Sequence, residues 1–193
     1  ITGYYLDGWW NYLAIVFSFL IIPLIDSQSG LDTSNIAPDQ QKTTGEEFYY
    51  RFVTYAWTYI QIAFIIWACS MIGTGNINTV WEWIGFTISS ALVTGGIGIT
   101  VAHELGHKKS SLERFYSKAL LMTVCYMHFY IEHNRGHHVL VATPADPATA
   151  RKNESFYAFW VRSVLHGYAH AWKLEAESLE KKNLPAFHWK NNM

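Results

Sequence analysis

Charge is scarce in this chain. Asp, Glu, Lys and Arg make up 15% of its 193 residues, against roughly 25% in an ordinary soluble domain. The shortage is concentrated. No charged side chain occurs from Trp9 to Ile25, from Phe52 to Ile72 or from Ile84 to Ala102, runs of about 17, 21 and 19 residues, each enough to cross a bilayer as a helix. Cysteine is scarce too: Cys69 and Cys125 stand alone, which excludes a disulfide framework and a CxxC metal site. Both lie in apolar runs and are expected to be buried, reduced thiols. The formal net charge is −1, so no bulk electrostatic attraction points to nucleic acid. The chain begins at Ile1 without the basic segment and cleavage site of a secretory leader. It is expected to be an internal piece of a longer protein.

Aromatics are abundant, at 17%. Many sit at the ends of the apolar runs: Tyr4, Tyr5, Trp9 and Trp10, then Tyr49 and Tyr50, then Trp81 and Trp83, as in the belts found at headgroup depth. These features predict an all-α, polytopic membrane helix bundle of about three spans, near 9–25, 52–72 and 84–102. The region 103–193 follows, and the whole of 1–193 is read as one domain. The mean hydropathy of +0.04 does not itself decide this; the distribution of charge does. Three spans leave residues 1–8 and 73–79 on one side with no Lys or Arg. All 14 basic residues fall on the other side, with the polar 26–51 loop, which includes Pro38, and everything after His103. The positive-inside rule makes that side cytoplasmic.

The small residues Thr94, Gly95, Gly96 and Gly98 suit close helix packing in a membrane or leave room for a ligand. A fourth apolar run, Ala119 to Ile131, is short for a span and reads as a re-entrant or interfacial helix. Ser155 to Lys182 reads as a further amphipathic helix.

The chemistry-bearing residues form two clusters. "HELGHK", residues 103–108, contains H-E-x-x-H, with His103 and His107 on one face of a helix. "EHNRGHH", residues 132–138, repeats the spacing at His133 and His137 and adds His138. If the 119–131 run crossed the bilayer, the clusters would be about 30 Å apart; kept on one side, they can meet. A zinc protease would use two helical His, one distant ligand, an open water position and Glu104 as general base. The second cluster holds more imidazoles than that scheme needs, which fits iron or a dinuclear centre better. Glu104 and Glu132 can hold ring N–H groups and offset positive charge, although Glu104 can equally pair with Lys108 at i, i+4. His128 lies off the ligand face and suits support, a substrate cavity or packing. His166 and His170 suit an interfacial role, and His188 a solvated one. A metal transporter is disfavoured, since it would place its ligands between helices at mid-membrane.

Together "HELGHK", "EHNRGHH" and "VATPADPATAR" (Val141 to Arg151), with "PLID" at Pro23–Asp26, resemble the bacterial integral-membrane alkane 1-monooxygenases, within the wider class of histidine-box hydroxylases and desaturases. The resemblance implies a non-haem di-iron enzyme of the cytoplasmic membrane that holds two iron ions and takes O2 as co-substrate. It would hydroxylate medium- or long-chain n-alkanes to primary alcohols. Electrons would come from rubredoxin, reduced through rubredoxin reductase by NAD(P)H. Carried over by motif, the iron ligands are His103, His107, His133, His137 and His138. A third histidine box and an HYG-containing motif of that family have no match after His138, so the chain is expected not to hold a complete centre by itself. An apolar tunnel from the lipid would admit the alkane, with Ser18, Gly95, Gly96 and Gly98 among its candidate walls. Another histidine-box oxygenase or desaturase, including an aromatic-methyl hydroxylase, is the nearest alternative, and an intramembrane zinc protease a more distant one.

Overall fold

A computed structural model of the protein describes residues 1–31, 34, 47–75 and 77–193. Most of the expected polar loop, including Pro38, lies outside the described residues. Among the described residues every regular element is helical. Three helices are long and apolar enough to span a membrane: Gly8–Ser29, Phe48–Thr74 and Val80–Gly106. These contain the three uncharged runs and extend each of them. Their outer faces leave Phe19, Ile60 and Ile66 exposed, an apolar surface suited to lipid. The protein is a multi-pass membrane protein.

The chain divides into two compact units, residues 1–101 and 102–193. In the first, the spans approach through small residues and polar side-chain contacts. Gly85 lies under the Tyr12 ring, where a Cβ would stand 2.6 Å from Cε2. Ser89 Oγ donates to Asn11 O at 2.6 Å and Tyr12 OH to Trp81 O at 2.8 Å. Gly98 takes the Gln61 amide against its backbone. The third span starts at a capping box, in which the Thr79 side chain accepts from Glu82 N and the Glu82 carboxylate accepts from Thr79 N.

The second unit holds three shorter pieces. Helix Ser111–Thr123 buries Ser117, Leu120 and Leu121, and Ser117 Oγ donates to Ala102 O at 2.6 Å. The box helix runs over residues 128–140. The last helix, Phe156–Glu180, is capped by Ser155, whose side chain accepts from Ala158 N. Arg135 ties the box helix to it, donating to Glu175 Oε2 and to Leu174 O at 2.6 Å each.

Two expectations change. Ala119 to Ile131 is not one helix: the chain turns between Thr123 and His128, with Cys125 in the left-handed region at φ 54°. Both cysteines are free, but exposed rather than buried. Cys69 lies on an exposed face of the second span, and Cys125 lies in that turn. An apolar neighbourhood in a membrane sequence does not require burial by protein.

Candidate metal centre

His103 occupies the last turn of the third span, and His107 follows Gly106, one turn further on. Their Nε2 atoms are 3.1 Å apart. The box helix brings the second group. Residues Glu132–His137 form a wider, π-helical turn, which brings side chains five apart nearer to one face than an α-helix does. His133 therefore meets His138, Nε2 to Nε2 at 3.0 Å, while the His137 ring stacks beside that of His133 with centroids 5.5 Å apart. Spacing alone pairs His133 with His137 at i, i+4; the widened turn gives His138 the closer contact. His107 Nε2 lies 3.1 Å from His133 Nε2 and joins the two boxes.

Four imidazoles thus form a run, His103–His107–His133–His138, in which each contact is Nε2 to Nε2. His103, His107 and His133 offer nitrogens that all lie within 4.8 Å of one another. Contacts of 3.0–3.1 Å match the roughly 3 Å between neighbouring nitrogens bound to one small cation at about 2.1 Å. Electrostatics favour the neutral, ligating form. Burial, then the positive charge that the neighbouring imidazoles would carry, pushes His133 down to about 4. The same causes lower His107. The donor set therefore fits a transition metal that prefers imidazole.

The surrounding groups divide. Glu104 pairs with Lys108 at 2.6 Å, the second of its two expected roles. Glu132 is buried, and its Oε1 accepts from His170 Nδ1 at 3.1 Å rather than from a box histidine. Burial raises its carboxyl, and the His170 bond only partly offsets this. Gly136 makes room for that carboxylate, since a Cβ there would stand 2.5 Å from Oε1. His170, assigned from sequence to an interface, thus helps to hold the box helix, while His166 is exposed.

His128 lies between the rings of Tyr126 and Tyr168, with its Nε2 buried and unpaired; burial lowers its basicity. It lines a cavity of about 320 Å³ that also reaches His103, His133, His137 and Glu132. Sequence reasoning missed Asp146, whose Oδ2 accepts from His137 Nδ1 at 2.9 Å. The signal available was its place in "ATPADPATAR", a segment used only for its resemblance. Burial raises the Asp146 carboxyl, but hydrogen bonds from Thr149, Ala148 N and His137 outweigh it and hold the group below its ordinary value.

In the first unit, a cavity of about 480 Å³ is lined by Tyr4, Trp10, Phe17 and Trp67 among others, and not by Ser18, Gly95, Gly96 or Gly98. Gly95 and Gly96 have open space where a Cβ would stand.

Three spanning helices and a knot of imidazoles at the end of the third define the class, a multi-pass membrane protein with a histidine cluster. The chain belongs to the fatty acid desaturase family, which it matches over residues 78–192. It is 38% identical to alkane 1-monooxygenase 2 of Pseudomonas aeruginosa over 190 residues, covering 95% of this chain and 49% of that protein. It is likewise 38% identical to alkane 1-monooxygenase 1 of Alcanivorax borkumensis over 186 residues, covering 94% and 46%. The xylene/toluene monooxygenase hydroxylase component of Pseudomonas putida is 23% identical over 189 residues, covering 94% and 48%. The chain spans about half the length of the curated relatives it matches.

Proposed function

We propose that the protein acts as a membrane alkane 1-monooxygenase. One oxygen atom of O2 enters a terminal C–H bond of an n-alkane and gives a primary alcohol. The other leaves as water, with two electrons and two protons consumed. The observation that carries this reading is the His107–His133 contact at 3.1 Å, which makes one cluster of two histidine boxes in a chain 38% identical to an alkane 1-monooxygenase.

His103, His107, His133, His137 and His138 would hold iron, the metal the family implies. When bound, a non-haem di-iron pair supplies the activation of O2. The remaining ligands are assigned to the part of the relatives that this chain does not span. The 320 Å³ cavity touching His103, His133 and His137 would seat the reacting end of the alkane. Phe129, Pro147 and Val164 supply its apolar wall and exclude water. His128 and Glu132 are the polar groups in the same wall. The distribution of Lys and Arg supports a cytoplasmic side for the boxes. There a soluble donor, rubredoxin, would deliver electrons drawn from NAD(P)H through rubredoxin reductase.

The test supplies the full-length protein, in bacterial membranes with rubredoxin, its reductase and NADH, with linear alkanes and with xylene. Primary alcohols from the alkanes are expected. Oxidation of xylene alone would instead place the protein with aromatic-methyl hydroxylases, and desaturated products with the desaturases.

A further inference from the structure

Beyond the histidines, the "ATPADPATAR" segment has a constructed geometry. Asp146 has no exposed side-chain surface, yet it lies in a loop of turns between the box helix and the last helix. Its two oxygens are fully engaged. Oδ2 accepts from His137 Nδ1 at 2.9 Å and from Thr149 Oγ1 at 2.6 Å, and Oδ1 accepts from Ala148 N at 2.9 Å. The loop itself is clamped. Arg162, on the last helix, donates to Pro147 O at 3.1 Å and Thr149 O at 3.0 Å. It also grips both oxygens of Glu154 at 2.7 Å. The arginine thus bonds residues immediately after Asp146 and three positions on, fixing the carboxylate by its backbone.

We propose that Asp146 is a positioning residue for the metal ligand His137, and that Arg162 holds the loop that presents it. The inference rests on the iron-centre reading above. A carboxylate on Nδ1 fixes the proton there, leaves Nε2 as the ligating nitrogen, sets the ring plane and raises the basicity of the imidazole. The geometry favours arginine, because its planar fork makes four hydrogen bonds here, two to a carboxylate and one to each of two carbonyls, one more than the three donors of an ammonium. Asp146, Thr149 and Arg162 then act together to hold the His137 imidazole in register beside the His133 ring.

The experiment compares the full-length iron-loaded protein with its Asp146→Ala, Asp146→Asn and Arg162→Lys variants. It reads the chelator concentration that strips half the iron, and the reduction potential of the centre. Asp146→Ala is expected to weaken iron binding about 10- to 100-fold. Asp146→Asn retains an acceptor for Nδ1–H but loses the negative charge. It is expected to keep most of the iron while its potential rises, because the oxidised metal loses an anionic neighbour; a purely structural role would leave the potential unmoved. Arg162→Lys should loosen iron in the same direction as Asp146→Ala, by a smaller factor. Unchanged iron affinity and potential in both Asp146 variants of an iron-loaded protein would overturn the role of Asp146. An unsubstituted protein that binds no iron would overturn the reading beneath it.

Discussion

His107 and His133 stand with their Nε2 atoms 3.1 Å apart although 26 positions separate them in the chain. The end of the third span supplies one and the π-helical turn of the box helix supplies the other. Replacing His137, whose ring stacks beside that of His133, by Ala is expected to abolish alcohol formation by the full-length protein. Gas chromatography of alkane-fed membranes checks this, and retained turnover would remove His137 from the proposed ligand set.

Gly136 is the point where a side chain is least tolerable in the second box, because the Glu132 carboxylate occupies the space. Gly136→Ala is expected to displace Glu132, break its bond to His170 and destabilise the protein by about 1–3 kcal/mol, the usual cost of overpacking. Thermal unfolding in detergent measures it. Gly95→Ala, with open space around it, should be nearly neutral in the same assay.

Arg162 holds Glu154 at about 2, well below its ordinary carboxyl range, with the Arg151 backbone N–H adding to the effect. A folded-state pKa below the unfolded one contributes stability that is complete above the unfolded value of about 4.5. That stability is lost as pH falls through the folded value. The stability gap between the unsubstituted protein and Glu154→Gln should therefore be constant above about pH 5 and shrink as pH falls from 4.5 toward 2. Thermal unfolding across that range reads the gap; a gap that grows on acidification would contradict the ion pair.

Topology gives a separate expectation. On a background with Cys69→Ser and Cys125→Ser, Lys109→Cys is expected to react with an impermeant maleimide only when the cytoplasmic face is accessible. Thr74→Cys, at the end of the second span, should react only from the opposite face. Labelling of both from one side would break the three-span arrangement.

The spans and the meeting of the boxes were legible because each leaves a periodic or compositional mark. Uncharged runs of bilayer length admit few other structures, and histidines four apart on a helix share a face. What was not legible depends on backbone register and on distant partners. Spacing alone does not reveal that residues 132–137 widen into a π turn, so it pairs His133 with His137 rather than with His138. It does not show that Asp146 reaches back nine positions to His137, or that His170 reaches Glu132 across 38. The expected burial of Cys69 failed for a related reason: hydrophobic sequence measures affinity for an apolar medium, and in a spanning helix that medium includes lipid; Cys125 is exposed because the apolar run around it breaks into a turn.

The central claim, that the two histidine boxes build one iron site, is tested most directly by metal analysis of the purified full-length protein beside its His133→Ala variant. About two irons per chain, and their loss on replacing His133, is the expected result. One zinc per chain and no iron would contradict the account and return "HELGHK" to the zinc-protease reading.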